Sequence, residues 1–191
     1  MTTVTPANTT TISDEDLARD ARAGSLAAFE ELARRVQVPL VRFLSRRFPS
    51  RGDAEDVAQE ALVRTYQAIG TYREGARFRT WVFTIAYRVA VSRGRARRTT
   101  TEVPDGIGDG RAEPAEALER RERGERVWAT ARAVLSDEQV AALWLFYVEE
   151  LPAGEVARVL GRSWVSVKTM LHRARRKLAP HLEREIDGGL R

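Results

Sequence analysis

Apolar residues recur every three or four positions along most of this chain, which is the spacing of one face of an α-helix. Between residues 25 and 48 this stripe is formed by Leu26, Phe29, Leu32, Leu40, Phe43 and Leu44. Ser13, followed by three acidic residues, predicts the start of an earlier helix, and Gly24 predicts its end. Further helices are predicted over residues 53–70 and 78–98. No stretch alternates apolar and polar residues as a half-buried strand does, so the predicted fold class is all-α.

Residues 99–114 interrupt the helical pattern. They contain two prolines, three glycines and four acidic residues but one arginine, a composition typical of a flexible acidic linker. Helical periodicity resumes at about Ala115. The sequence therefore predicts two small helical domains with a linker between them: a disordered tail over 1–13, an N-terminal domain over 14–98, the linker over 99–114, a C-terminal domain over 115–185 and a short tail over 186–191.

The composition indicates which classes of partner and site are favoured and which are excluded. The formal net charge is +5, from 32 Lys and Arg against 27 Asp and Glu, and such a basic balance favours polyanions as partners. The absence of cysteine excludes a disulfide scaffold, a thiolate metal site and a cysteine nucleophile. No apolar run reaches the roughly 18 residues of a membrane span, and no signal pattern opens the chain. We therefore expect a cytoplasmic protein with no membrane insertion, no metal and no cofactor.

The C-terminal segment predicts a helix-turn-helix. Ser136 and Gln139 have capping-box spacing at the start of one helix, and Gly161 separates a short helix from a longer basic one over 164–178. One face of that second helix carries Val167, Met170, Leu171, Ala174 and Leu178. The opposite face carries Lys168, Thr169, His172, Arg173 and Arg176. Two short helices of which the second is amphipathic and basic fit the major groove of DNA; a solvated basic face on a helical bundle is the alternative.

Residues 72–98 carry eight arginines and a single acid, Glu74, with five aromatic residues interleaved. Basic charge follows a phosphate backbone and aromatic faces stack on unpaired bases, so this composition is typical of a single-strand binder. The alternative is structural, because Phe78, Trp81 and Ile85 fall at helical spacing and also fit a core. Both interpretations stay open for the aromatic residues, whereas the arginines favour nucleic acid.

An acidic cluster of Asp53, Glu55, Asp56 and Glu60 lies on the predicted third helix. One interpretation is the carboxylate metal site of a metal-dependent nuclease. The other is an ordinary helix start, with Asp53 as the N-cap and the other acids favoured by the helix dipole. Val63 is predicted to point outward on the same side. An apolar residue among acids favours a docking surface for a basic protein partner.

Three motifs occur one after another along the chain: DAEDVAQE at 53–60, FRTW at 78–81 and VKTMLHRAR at 167–175. In combination they resemble the acidic helix, the aromatic-basic stretch and the C-terminal helix-turn-helix of bacterial sigma factors of the extracytoplasmic-function (ECF) group, in the sigma-70 family. The resemblance extends over about residues 14–183. It implies an N-terminal domain like sigma region 2, a C-terminal domain like region 4, and a subunit that binds core RNA polymerase, confers promoter specificity and helps open promoter DNA without being an enzyme.

The resemblance also implies which residues contact which partner. For docking on the clamp helices of the largest polymerase subunit, the resemblance implies Asp53, Glu55, Asp56, Gln59, Glu60 and Val63. For holding the minus-ten promoter element as a single strand, it implies Arg73, Arg77, Phe78, Arg79, Thr80, Trp81, Tyr87 and Arg88. For reading the minus-thirty-five element, it implies Ser166, Lys168, Thr169, His172, Arg173 and Arg176. Further implied partners are the flap of the second-largest polymerase subunit and an anti-sigma factor.

Two other functions compete with this interpretation. One is an autonomous helix-turn-helix transcription regulator, and the other is the metal-dependent nuclease named above. A simple repressor needs neither an acidic docking helix nor an aromatic-basic segment, so those two features favour the sigma factor. Within the recognition helix, Ser166 and Met170 stand where the family usually has Thr and Arg, and a shifted minus-thirty-five preference is expected.

Overall fold

The computed structural model describes residues 12–48, 50–97 and 115–188, and it describes side chains over 12–48, 50–94 and 122–182. These residues form eight α-helices: α1 Asp14–Arg22, α2 Leu26–Leu44, α3 Arg51–Gln67, α4 Phe78–Arg97, α5 Ala115–Val134, α6 Asp137–Tyr147, α7 Ala153–Leu160 and α8 Trp164–Gly188. A short 3₁₀ helix, Ile69–Thr71, follows α3. The described residues contain no strand, which confirms the all-α prediction. The predicted linker lies outside the described residues, as do residues 1–11 and 189–191.

Serine side chains set the starts of several helices. The Ser13 hydroxyl accepts a hydrogen bond from the Asp16 N–H at 3.1 Å, and Ser136 and Gln139 form the predicted capping box. At α3 the predicted cap is wrong: the N-cap is Ser50, whose hydroxyl accepts from the Asp53 N–H at 3.1 Å. Both residues suit a cap, and the helix takes the earlier one because Asp53 then favours the dipole from inside the first turn.

The last helix runs further than its apolar stripe predicts. α8 continues through Pro180 to Gly188, past the predicted domain end at residue 185. Proline has a backbone φ that a helix accepts, although it removes one hydrogen-bond donor. A long helix tolerates that loss when its preceding turns are held by buried residues, and Leu178 is 8% exposed.

The N-terminal half, α1–α4, and the C-terminal half, α5–α8, pack against each other. α4 contacts α7 and α2 contacts α6, and the buried hydrophobic side chains of both halves form one cluster. We call this the closed arrangement. It places the predicted minus-ten segment on α4 against the first helix of the helix-turn-helix. Within the described ranges, no helix is long and apolar enough to cross a membrane.

Arg46 anchors the closed arrangement from the end of α2. Its guanidinium donates two hydrogen bonds to the Glu125 carboxylate, at 2.8 and 2.9 Å. The same group lies 4.7 Å from the ring centroid of Trp144 and 5.8 Å from that of Trp128. Arg47 adds a 3.2 Å ion pair to Asp137. The Arg46 side chain is 8% exposed whereas Glu125 is 48% exposed, so the guanidinium is buried against the two rings while the ion pair itself stays open to solvent.

Candidate nucleic-acid interface

The helix-turn-helix is built from α7, a tight turn and α8. Gly161 ends α7 with a φ of +64°, a left-handed conformation that glycine adopts without steric cost. Two residues later, the Ser163 hydroxyl accepts a hydrogen bond from the Ser166 N–H at 3.2 Å, which starts α8. The local sequence therefore dictates both the end of the first helix and the start of the second.

The two faces of α8 differ as the sequence predicts. Val167, Leu171, Ala174 and Leu178 are buried against the rest of the C-terminal half. Met170 is only partly buried. The six residues assigned to the minus-thirty-five element, Ser166, Lys168, Thr169, His172, Arg173 and Arg176, are all exposed. No acidic residue occurs between residues 162 and 182, so this exposed face is suited to a polyanion.

Trp164, at the start of α8, holds one of these basic side chains. The Lys168 ammonium nitrogen lies 4.5 Å from the centroid of the Trp164 ring. The two residues are one helical turn apart, and a cation over an indole face is attracted by the ring quadrupole. Trp164 was not predicted as a site residue. The aromatic-to-lysine spacing of four was the sequence signal for this contact.

Replacing Trp164 with alanine is expected to weaken binding to duplex promoter DNA by roughly twofold to fivefold. An exposed cation–π contact contributes about 0.5–1 kcal/mol, and Lys168 loses its fixed position when the ring is removed. Trp164→Phe keeps a ring and is expected to bind nearly as the wild type does. The effect is measured by competition binding in a double-mutant cycle with Lys168→Ala. If the losses of binding free energy in the two single variants add up to the loss in the double variant, Trp164 does not position Lys168.

The residues assigned to the minus-ten element divide into three groups in the closed arrangement. Arg73, Arg77 and Arg88 are exposed. Arg79, Trp81 and Tyr87 are partly buried, and burial raises the pKa of the Tyr87 phenol. Phe78 and Thr80 are buried, at 1% and 5% exposure, and the Thr80 hydroxyl has no hydrogen-bond partner. In this arrangement, therefore, the arginines of the first group are exposed to a DNA backbone, whereas Arg79 is partly buried.

The aromatic residues at the start of α4 form a cluster with one another. The Phe78 ring lies 5.9 Å from Tyr72 and 6.0 Å from Trp81, between centroids. The Phe78 N–H donates a hydrogen bond to Glu15 on α1 at 3.2 Å, so a residue 63 positions away caps this helix. Phe83, further along α4, is fully buried. Tyr72, Phe78 and Phe83 are therefore core residues, as in the structural alternative, and Trp81 retains a partly exposed ring.

Arg79 is engaged by the C-terminal half. Its guanidinium forms a hydrogen-bonded ion pair with Glu149, which follows α6. The Glu149 side chain is 4% exposed and also accepts a hydrogen bond from the Trp144 indole at 3.1 Å. The Arg79 side chain remains 41% exposed. The closed arrangement thus neutralises one arginine of the predicted minus-ten site.

Glu149→Gln is expected to lower the equilibrium constant between the closed and the open arrangement by about fivefold, which corresponds to roughly 1 kcal/mol. A hydrogen bond to a charged group contributes about 1.5–3 kcal/mol, and the exposure of Arg79 reduces that contribution. The chain contains no cysteine, so a donor and an acceptor dye can be attached to cysteines introduced by Gln37→Cys and Ala179→Cys. The efficiency of energy transfer between the two dyes then reports the distance between the halves. The control is Glu31→Gln, which neutralises an ion pair within α2. Equal transfer efficiencies in the two variants would contradict the expectation.

The acidic helix α3 buries its apolar stripe, and of its predicted docking residues Asp53, Glu55 and Glu60 are partly buried. Asp56, Gln59 and Val63 are exposed, and Val63 is 55% exposed. Glu55 pairs with Arg51 at 2.7 Å, and Glu60 pairs with Arg64 and Arg93 at 2.6 and 2.7 Å. In the part of the chain that the structure describes, no group of three potential ligands comes together to hold a metal ion. The surface combines an exposed valine with carboxylates, which suits a protein partner better than a metal.

Comparisons with known proteins match both halves of the chain. Residues 32–100 match the family described as Sigma-70 region 2, and residues 129–178 match the one described as Sigma-70, region 4. The first range contains most of α2 and all of α3 and α4, and the second contains the helix-turn-helix. The two matches occur in the same order as the motifs that the sequence analysis identified.

Individual proteins are similar over most of the chain. The ECF RNA polymerase sigma factor BldN of Streptomyces coelicolor is 30% identical over 170 aligned residues, which cover 86% of this chain and 64% of BldN. The RNA polymerase sigma factor YlaC of Bacillus subtilis is 28% identical over 165 residues, which cover 84% of this chain and 95% of YlaC. The structure of CnrH in complex with the cytosolic domain of CnrY has a TM-score of 0.67 and 26% identity, covering 89% of this chain and 97% of CnrH. The chain therefore spans about two thirds of BldN and nearly all of YlaC and CnrH.

Proposed function

Because the chain belongs to the ECF group of the sigma-70 family, we propose that it binds core RNA polymerase, directs it to a set of promoters and helps open them. The observation that carries the proposal is the exposed face of α8. It holds six polar or basic side chains opposite a buried stripe and directly after a helix-turn-helix turn. Such a helix fits the major groove, where Arg and Lys reach guanine edges and phosphates.

Reading of the minus-thirty-five element is assigned to Ser166, Lys168, Thr169, His172, Arg173 and Arg176. All six side chains are exposed, which supports the assignment. Arg173 and Arg176 form no ion pair among the described residues, so their guanidinium groups are available to bases and phosphates. The assignment rests on exposure, charge and the helix-turn-helix geometry together.

Opening and holding of the minus-ten element are assigned to the start of α4 and the segment before it. Arg73, Arg77 and Arg88 supply exposed charge for the single strand. Movement of the C-terminal half away from α4 would free Arg79 from Glu149 and uncover Tyr87, which lies beside Val140 and Ala141, and Phe78 supports the partly exposed Trp81 ring from inside. We therefore expect the closed arrangement to open before or during promoter binding.

Docking on the clamp helices of the polymerase is assigned to α3, through Asp53, Glu55, Asp56, Gln59, Glu60 and Val63. The exposed Val63 supplies an apolar contact and the exposed Asp56 supplies charge for a basic partner. Glu55 and Glu60 pair with arginines of this chain, which a basic partner would have to displace. A second polymerase contact, with the flap of the second-largest subunit, is assigned to the C-terminal half. Catalysis belongs to the polymerase, so the chain itself is a specificity subunit of the cytoplasmic enzyme and performs no reaction of its own.

A regulatory partner is also expected. CnrH, which resembles this chain along nearly its whole length, was solved with the cytosolic domain of CnrY bound. We propose that this chain likewise binds a second protein, an anti-sigma factor, that restrains it until a signal arrives. A linker between the two halves permits such a partner to act on both.

The experiment is run-off transcription with core RNA polymerase on fragmented DNA from the source organism, with and without this chain. Discrete new transcripts that require the chain are the expected result. No new transcripts, together with tight duplex binding by the chain alone, would instead support an autonomous helix-turn-helix regulator. Cleavage of the fragments in the presence of Mg²⁺ would support the nuclease.

A further inference from the structure

Val165, the second residue of α8, is the most exposed large hydrophobic side chain in the part of the chain that the structure describes. It is 65% exposed, and its neighbour Trp164 is 53% exposed. Trp164 has a partner in Lys168. Val165 has no such partner, and it lies in the first turn of a helix whose central stripe, Val167, Leu171, Ala174 and Leu178, is buried. A single exposed valine is ordinary on a protein surface, so any reason for its exposure must come from its place on the helix.

The position of Val165 on the helix points to that reason. At 100° per residue, Thr169, His172 and Arg176 fall within about 40° of it, in a single stripe along α8. Those three residues are exposed, and the buried stripe centred on Val167, Leu171 and Ala174 lies on the opposite side. Val165 is therefore at the centre of the face assigned to DNA, at its N-terminal end.

The surroundings of Val165 favour DNA over a protein as the occupant. Val165 lines an open groove between the start of α6 and the outer face of α8, together with Ser136, Gln139, Ser166, Thr169, Met170 and Arg173. The α8 wall carries Arg173 and no acid, since none occurs from residue 162 to 182, and the acids that begin α6, Asp137 and Glu138, pair with Arg47 and Arg162. A phosphate backbone complements the basic α8 wall, and the apolar side chains among the polar ones suit a base edge that carries a methyl group.

We propose that Val165 contacts the C5-methyl group of one thymine in the minus-thirty-five element and so determines a base of the promoter. The N-terminal residues of a recognition helix reach the base edges, and the thymine methyl is the apolar group on the edges of the four DNA bases in the major groove. The inference rests on the proposed function. The inference adds one residue, Val165, and one base type, thymine, to that proposed function.

The test removes that methyl group alone. The full chain is assembled with core RNA polymerase, and sequences bound by this holoenzyme are selected from a random duplex library. Each thymine of the selected minus-thirty-five sequence is then replaced in turn by deoxyuridine, which keeps the base pair and its hydrogen bonds. We expect one replacement to lower the affinity by about fourfold, the factor that burying one methyl group produces.

A variant then connects the methyl group to the residue. Val165→Asn has a similar volume and helix propensity but is polar, and its thymine-to-deoxyuridine affinity ratio is expected to fall from about four to about one. Val165→Ser is a second variant of the same kind, for use if the first loses helicity. The control is Val148→Ala, which shortens an exposed valine of the same half that is not on α8 and is expected to keep the ratio at four.

The outcomes separate this inference from the proposed function. If the holoenzyme selects no sequence, the proposed function fails and the inference fails with it. A selected sequence that contains no thymine overturns the inference alone, as does wild-type affinity that is indifferent to every deoxyuridine. An unchanged ratio in the Val165 variants overturns it as well, because another residue then reads the methyl group.

Discussion

Alanine at both Lys168 and Arg173 is expected to abolish transcription from promoters that depend on this chain, with a loss of promoter affinity of at least about thirtyfold. A side chain that reaches a guanine edge contributes about 1–3 kcal/mol, so two such contacts contribute about 2–6 kcal/mol. Both residues lie on the exposed face of α8, so their removal leaves the core intact. The loss is measured as run-off yield and as holoenzyme affinity at one stated salt concentration.

A control is needed because the double variant also removes two positive charges. Arg19→Ala with Arg34→Ala makes the same change of net charge on α1 and α2, at side chains that are 57% and 72% exposed. We expect this control to keep most of the affinity and the same promoters. An equal loss in both double variants would mean that overall charge, and not the α8 face, carries binding.

Phe83→Ala is expected to lower the free energy of unfolding by about 3–5 kcal/mol, the usual cost of emptying a fully buried aromatic position. The Phe83 side chain is 0% exposed, and its ring packs edge-on against Phe43 at 5.3 Å between centroids. α4 would lose this ring contact with α2, so the N-terminal half would be the part most affected. The change is measured by urea unfolding followed by circular dichroism.

Leu26→Ala is the matched control for this loss. Leu26 is 55% exposed at the start of α2, and substitutions at such positions usually change stability by less than 0.5 kcal/mol. A Phe83 variant as stable as this control would contradict the buried position of the ring. The base-stacking interpretation of that aromatic residue would then be open again.

Local patterns in the sequence predicted most helices because a helix is held by contacts three and four residues apart. The stripe of Val167, Leu171, Ala174 and Leu178 identified the buried face of α8, and it is buried. The capping box at Ser136 is equally local and is present. At α3 the predicted N-cap, Asp53, was about one turn too late, since Ser50 and Asp53 are both good caps and only the backbone conformation distinguishes them.

By itself, then, the sequence determined the all-α class, the helix-turn-helix and its basic face, because these depend on spacing and charge within one segment. The tertiary structure decided which aromatic residues of α4 are core, since burial of Phe78 depends on Tyr72 and on Glu15, 63 positions away. It also decided that Arg79 pairs with Glu149, 70 positions away, and that Arg46 lies between Glu125 and two tryptophans. Contacts at such separations depend on how the helices assemble, and no periodicity within a helix encodes them.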